Sequence, residues 1–401
     1  MIQFFAVVLP ALILFCGLSI DVGLLELRKL QMQSAADAAA LGAELEAERG
    51  TGDWQTIGQQ EASINGFTDG SNNTTVTLIQ RSNFGAYNGR WDTLQATITQ
   101  SVHTIFMGAL NGGVFTLTAQ SSALVTPCVY LLGTGALQPY NLENVTGSLD
   151  GNSCPIYAKN NIDVTASGHI AVEAMNVSGS SGTSAVSGFM FPSPNYGVPT
   201  VTDPLASLTQ PSLVTSSGQC TYTGKNVTSG IVTLNPGVYC KGLNISNATV
   251  NLSPGLYTIT GGATWQNATV NGTGVTLFFT QGGGAGYGQF LIQYSKGTLS
   301  APTDNSNGGT PGVLVFADRN WVHTGAQDFL LNSSYPLLFD GIWYIKGAGL
   351  SMWSCGTVTG TNYFGVVADN LYIGGSIFTP LNNYSYVTTG NPFRKAAALV
   401  Q

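Results

Sequence analysis

Asp318 and Asp340, about one structural repeat apart and with Arg319 and His323 close by, are the residues whose types could do chemistry. Cleaving a glycosidic bond needs a proton donor and a second carboxylate across the bond, and adjacent turns of a repeating β fold can supply both. The bare pair does not define a mechanism, because nothing in the spacing sets the carboxyl separation, and Ala317-Asp318-Arg319-Asn320 reads first as a strand-end turn with a solvated ion pair. His103, His169 and His323 are far apart and lack metal-ligand spacing, so each reads as a surface or packing residue. The run Gly282-Gly283-Gly284-Ala285-Gly286 has no helical pattern after it and reads as a loop, not a phosphate cradle. No Cys-x-x-Cys occurs, which argues against zinc. The chain is therefore expected to be no enzyme and to hold neither metal nor cofactor.

Charge and cysteine usage bound the class. Thirteen Lys plus Arg, thinly spread in 401 residues with a net charge of -7, leave no basic patch for nucleic acid. Only 8 % of residues are charged while 43 % are hydrophobic, and there are 51 glycines, the composition of a turn-rich β protein rather than a disordered one. Cys128 with Cys154 and Cys220 with Cys240 would close modest loops in an oxidising compartment. Cys16 lies in an apolar run, and Cys355 is left as a buried free thiol.

The elements that must position these residues divide the chain in three. Met1 to Ile20 is an unbroken apolar run that passes at Asp21 into an amphipathic segment ending near Arg49. As one helix, residues 1–49 would be about 70 Å long, and the first roughly 30 Å would match a bilayer core or pack in a helical filament core. Gly50 to Asp53 breaks it, with Asp53 placed to cap a second helix over Trp54 to Phe67. Period-two alternation predicts strands at Thr74 to Gln80, Leu94 to His103 and Val114 to Val125, with a short helix over Thr104 to Leu110. From Cys128 the pattern becomes repetitive. Leu234-Asn235-Pro236-Gly237-Val238-Tyr239 recurs 18 residues later, and Asn247-Ala248-Thr249-Val250 recurs 20 residues later. That period suits stacked rungs, with Asn-rich turns supplying left-handed corners and side-chain ladders. The expectation is an α+β module over 1–126, with a long apolar helix and a small antiparallel sheet, then an all-β, right-handed parallel β-helix-like body over 127–401.

The N-terminal residues also carry a resemblance. Ala6 to Pro10, Gly17-Leu18-Ser19-Ile20-Asp21-Val22-Gly23, Leu30-Gln31 and above all Ala35-Ala36-Asp37-Ala38-Ala39-Ala40-Leu41 resemble the start of the TadG-like proteins of Tad (Flp) pilus-assembly systems. Asp203-Pro204-Leu205-Ala206, Leu234 to Cys240 and Ala397 to Val400 resemble the outer region of the same proteins. The resemblance implies a pilin-like subunit anchored in the inner membrane before assembly, handled by pilus-assembly machinery, and self-associating into a surface filament through Met1, Phe4, Phe5, Val8, Leu9, Pro10, Leu14 and Asp21. Many pilins carry a glutamate at position 5, and Phe5 stands there instead. Arg28 and Lys29 after the apolar run would by charge alone face the cytoplasm, whereas the cysteine-bearing body argues for the outside. A short basic leader removed before Met1 reconciles the two.

Two further readings follow from the body. An anchored adhesin would present Trp265, Trp321, Trp343, Trp353 or Tyr residues along one face, and a polysaccharide-active enzyme would need Asp318 and Asp340 in one cleft. Asn-x-Ser/Thr sequons at Asn72, Asn73, Asn144, Asn176, Asn226, Asn244, Asn247, Asn251, Asn267, Asn271, Asn332 and Asn383 are acceptors for sugar wherever they are exposed and the host glycosylates Asn.

Overall fold

The computed structural model describes residues 2–49, 53–80, 82–84, 93–111, 113–124, 127–133, 140–144, 146–151, 154–182, 184–322, 327–382, 387, 392–393 and 399–400. Side chains at 2–7, 9–11, 13–14, 48–49, 109–111, 124 and 399–400 also fall outside the description. The chain forms two compact units, Met1–Val125 with Ala396–Gln401, and Thr126–Lys395.

The first unit is a helix-on-sheet module. Helix α1 (Ile2–Arg49) and helix α2 (Trp54–Ile64) precede the antiparallel strands β1 (Thr74–Gln80) and β2 (Thr93–His103). Helix α3 (Phe106–Asn111) and strand β3 (Val114–Leu124) follow, and β3 pairs antiparallel with β2. The tail strand Leu399–Val400 pairs with β3, so it belongs to this sheet and not to the 126–395 body.

Small residues set the packing. Ala35, Ala36, Ala39, Ala40 and Ala43 on one face of α1 are fully buried with Val76, Leu78, Leu94, Ala96 and Ile98 of the sheet. Alanine at i, i+3/i+4 spacing lets the helix axis lie close to the strands and costs no side-chain entropy. α2 crosses α1 at Gly58, where a Cβ would lie 2.6 Å from Leu78 Cδ2 and 3.0 Å from the Ala39 carbonyl. Gly58→Val is expected to destabilise this unit by about 1–3 kcal/mol through overpacking, read from thermal unfolding of the variant. α2 stops at Ile64, short of Phe67: Gly66 has φ +89°, and the Phe67 N–H returns to the Ala62 carbonyl, which buries the Phe67 ring. Asp53 starts the helix by backbone alone, its carbonyl accepting the Ile57 N–H at 3.0 Å with no side-chain cap.

The second unit is almost entirely strand. Its 27 strands among the described residues run from Val129–Leu131 to Leu381–Asn382, and nearly all pair in parallel. They form three ladders. One contains Val250 on Val270, a second Ile245 on Trp265, and a third Phe279 beneath Ala317, so apolar side chains of successive rungs stack inward. Phe279, Phe290, Phe329, Trp343, Phe364 and Phe378 form a chain of mostly edge-on ring contacts through the core. The predicted corners are present: Asn247 and Asn267 both have φ +51°, and the Asn267 amide donates to the Asn247 Oδ1 at 2.7 Å. In the recurring Pro-Gly turns, Tyr239 Oη donates to the Asn235 carbonyl and Tyr257 Oη to the Ser253 carbonyl, so each tyrosine ties back its own turn.

The rungs do not stack in chain order. Val129–Leu131 pairs with residues 366–368 on one side and with Ile156–Ala158 on the other. The run 129–196 therefore continues the stack beyond the last rung of the run 222–382. The connection from Tyr196 to Tyr222 must then return along ten ladder steps, close to 48 Å at about 4.8 Å each. The 25 residues 197–221 reach up to about 80 Å when extended, which is ample.

This returning strap is fastened along its length. The Val201 N–H donates to Tyr157 Oη at 2.8 Å, and Leu205 is buried in the apolar cluster that runs along this face from Tyr157 and Tyr130 to Phe316 and Phe278. Asp203 accepts from Tyr344 Oη at 2.7 Å and pairs with Lys346 at 3.5 Å. Arg319 donates to the Leu205 and Leu208 carbonyls, while its guanidinium packs 5.4 Å from the Tyr344 ring. The strap ends at the Cys220–Cys240 disulfide; the other bridge is Cys128–Cys154, and both are the expected pairs. Opening Cys220–Cys240 as a Cys220→Ser/Cys240→Ser double variant is expected to cost about 2–4 kcal/mol, seen as a lowered denaturation midpoint.

Candidate assembly surface

The motif Gly17 to Gly23 has a specific structural use. A Cβ on Gly17 would lie 2.5 Å from Phe106 Cγ, so the glycine leaves the space that the Phe106 ring occupies. One turn later Asp21, 1 % exposed, accepts the N–H groups of Ile105, Phe106 and Met107 at 2.9, 2.9 and 2.6 Å. A carboxylate there satisfies the orphan donors that open α3. Burial raises its pKa, and the three N–H donors outweigh this and hold it below the ordinary aspartate value.

The next cation is also taken inward. Arg28 Nε donates to Gln100 Oε1 at 2.7 Å, and its guanidinium lies 4.4 Å above the Phe67 ring. Gln100 is in turn held by donation to Thr74 Oγ1 at 2.8 Å. Arg28 thus fastens α1 to the sheet. Gln33 donates to Asp37 and to the Gln120 carbonyl, both at 2.9 Å, and adds a second polar fastening.

The opposite face of α1 is apolar and uncovered. Leu12, Phe15, Leu18, Ile20, Val22, Leu24, Leu27 and Leu30 are between 44 and 70 % exposed. At about 1.5 Å per residue, these positions extend over about 27 Å, and so many exposed apolar side chains on one helix mark a candidate interaction site. The face runs ten residues past Ile20, where the sequence reading ended the apolar segment; the signal for it lies in Val22, Leu24, Leu27 and Leu30 among the charged neighbours Glu26 and Lys29. Of the residues assigned to assembly, Val8 is half-buried and Asp21 is committed to α3. Met1 and the side chains of Phe4, Phe5, Leu9, Pro10 and Leu14 lie outside the described residues, although α1 continues as helix through Pro10. Among the described residues no helix is long and apolar enough to cross a membrane.

The chemistry candidates are dispersed. Asp318 is buried and accepts from Thr280 Oγ1 and the Asn320 N–H, whereas Asp340 caps the turn at Thr361 and Asn362 through their N–H groups and side chains. Asp340 lines one cavity with Asp304, Asn307 and Tyr363, and Asp318 lines a different one. Arg319 is spent on the strap, and His323 lies outside the described residues. Glu143, which the sequence reading passed over, is paired in register with Asp163 one rung away; burial, then the Asp163 charge, raises its pKa. His169 stacks on Phe189 at 4.4 Å and meets Asp150 at 3.4 Å, while His103 is exposed at the end of β2. Among the described residues no cluster of three or more His, Cys, Asp or Glu could hold a metal.

The tryptophan face of the adhesin reading is absent in the form expected. Trp265, Trp321 and Trp343 are buried between rungs, and only Trp353 is partly open, stacked on Tyr372 at 4.5 Å. The sequons divide as well. Asn144 and Asn176 are buried, the first donating to the His169 carbonyl and the second accepting from Asn195, so neither is open to sugar transfer. Asn226, Asn244, Asn247, Asn251 and Asn267 are exposed, Asn271 and Asn332 half-buried, and Asn383 lies outside the described residues. Cys355 is a buried free thiol whose pKa burial pushes up, and Cys16 is exposed on α1.

Comparison with known families gives one match. Residues 1–47 match the family described as Flp pilus-assembly TadE/G-like, which covers α1 almost to its end and includes Gly17, Asp21, Arg28 and the alanine face. No curated protein and no solved structure matches the chain.

Proposed function

We propose that this chain is an extracytoplasmic structural subunit of a Tad/Flp-type pilus-like filament. The TadE/G-like match over residues 1–47 ties the N-terminal segment to pilus assembly. The observation that carries the finer reading is the division of α1 into two faces. One is fastened to its own module by Gly17, Asp21, Arg28 and the alanines, and the other is apolar and uncovered from Leu12 to Leu30. Such a helix holds the subunit in the inner membrane through its apolar start and then packs against like helices, with burial of apolar surface as the driving force. The body faces the medium as a right-handed parallel β-helix, the hand that parallel crossover connections almost always take. Its disulfides suit an oxidising exterior. It is displayed as a stable polar surface without catalysis, and its exposed sequons are the positions where sugar would be carried.

The TadE/G-like match names pilus assembly and not a filament subunit, which favours a second reading, a minor subunit or membrane-held assembly protein that binds surfaces. Electron microscopy of filaments sheared from the native cells, with mass spectrometry of the N-terminal peptide, separates the two. Filaments built mainly of this chain are expected. Recovery from membranes alone, absent from sheared filaments, would replace the structural reading with the minor one.

A further inference from the structure

Gly17 makes room for the Phe106 ring, which fixes α3 at one level of α1. The Thr104 N–H donates to the Gly113 carbonyl at 3.0 Å and closes α3 into a loop, with Ile105 and Phe106 on one limb and Val114 and Phe115 on the other. All four side chains are apolar and uncovered, from 37 % exposed at Phe106 to 64 % at Ile105. Around the same level α1 itself exposes Leu12, Phe15, Leu18 and Ile20. At about 3.6 residues per turn these four point to the other sides of the helix. Loop and helix together make an apolar collar around α1.

The collar carries no exposed charge among the described residues. Asp21 is 1 % exposed, and the N–H groups of Ile105, Phe106 and Met107 take up its carboxylate. No other Asp, Glu, Lys or Arg occurs before Glu26 or between Thr104 and Val125. Glu26 and Lys29, both exposed, stand about 14 and 18 Å beyond Gly17 at about 1.5 Å per residue. In the other direction α1 continues as helix to Ile2, about 22 Å from Gly17, through a sequence without charge. The collar therefore lies where an uncharged stretch of helix gives way to a charged one. A protein partner covers one side of a helix, whereas lipid meets every side alike. Apolar side chains all round the helix, bordered by charge on one side only, fit the edge of a bilayer.

We propose that this collar sits in the interface of a lipid bilayer, with Ile105, Phe106, Val114 and Phe115 dipping among the acyl chains beside α1. Taking these side chains out of water is the driving force. α3 then acts as a depth stop, because Gly17 and Asp21 lock it to one level of the helix. This seat exists only in the membrane-held state of the function proposed above, so it rests on that reading.

The test uses the full chain in vesicles of phosphatidylethanolamine and phosphatidylglycerol, with a nitrobenzoxadiazole label on one thiol at a time. The exposed Cys16 reports whether the start of α1 is in lipid. Val114→Cys in a Cys16→Ser background reports the collar, and Thr77→Cys in the same background, exposed in the middle of β1, is the control. The label at 114 is expected to shift to the blue and to lose emission when the vesicles carry doxyl-labelled lipid, and the label at 77 to do neither. Adding Ile105→Ser/Phe115→Ser, both exposed and so tolerated by the fold, should reverse the shift and the quenching at 114. Quenching at Cys16 without quenching at 114 overturns the depth stop and leaves the membrane-held state standing. Quenching at neither position removes both. A blue shift at 114 that doxyl lipid does not quench means that protein covers the collar, and quenching that persists with Ile105→Ser/Phe115→Ser means that the label inserts by itself; either result overturns the proposal.

Discussion

Arg319→Ala is expected to release the strap from the body and to lower the stability of the 126–395 unit by about 3 kcal/mol or more. The guanidinium donates to the carbonyls of Leu205 and Leu208 and, at 3.0 Å, to Tyr344 Oη, which itself donates to Asp203. Removing it leaves partly buried acceptors unpaired, at about 1–3 kcal/mol each, and takes away the contacts with the Phe316 and Tyr344 rings. Burial first, with the Asp203 charge, already raises the Tyr344 pKa, so the phenol cannot compensate by ionising. Arg319→Lys should fall between, since a single ammonium cannot span two carbonyls and a phenol. Limited proteolysis reads the result directly. Cleavage within 201–215 should accelerate strongly in Arg319→Ala, while the rung strands stay protected. Equal resistance of variant and wild type would mean that Leu205 packing alone holds the strap.

That fastening was invisible in the sequence for a physical reason. Arg319 meets its carbonyl partners across 111 and 114 residues and Tyr344 meets Asp203 across 141, so no local pattern connects them. A segment containing Pro204 and Pro211 reads as loop by composition, and only the stacking order shows that it must travel the length of the ladders. The stacking order is equally hidden. Each rung carries the same inward alternation, so Val129–Leu131 fits above residues 366–368 as well as it would fit at the start of a coil. Local features fared differently. Alternation in Thr74 to Gln80 predicts a strand with those bounds, and β1 has them. The 20-residue recurrence of Asn247 to Val250 is the actual ladder register, Val250 on Val270. The 18-residue recurrence holds at Leu234 on Leu252 and then slips, because Gly237 pairs with Tyr257.

The candidate site was legible in part. The apolar start and the alanine face are periodic signals that one helix carries by itself. The roles of Gly17 and Asp21 depend on Phe106 and its neighbours, 84 to 86 residues from Asp21 in sequence, and no spacing rule reaches that far. The same distance explains why Arg28 reads as a topology signal in sequence and is a sheet contact in the fold.

Asp21→Ala is expected to detach α3 from α1 and to abolish the proposed assembly without disturbing the 126–395 unit. Three backbone N–H groups would lose their acceptor at once, and nothing else among the described residues accepts from them. Phe106 would then leave its seat over Gly17, exposing apolar surface on the fastened side of the helix as well. Hydrogen exchange at residues 105–107 should rise to the rate of an open loop, and the filament assembly proposed for this helix should be lost with it. Asp21→Asn separates charge from shape, because it keeps one acceptor oxygen in place. The sign of the pH effect follows from the direction of the shift. A carboxyl whose folded pKa lies below its unfolded value of about 3.9 adds stability that is complete above the unfolded value and is lost as pH falls through the folded one. Wild-type α3 should therefore loosen on acidification below about pH 4, whereas in Asp21→Asn the protection at 105–107, exchange relative to the intrinsic rate at the same pH, should be lower at neutral pH and nearly flat over the same range. An acid response of equal size in both proteins would assign the titration to another carboxyl and leave Asp21 as a neutral acceptor only.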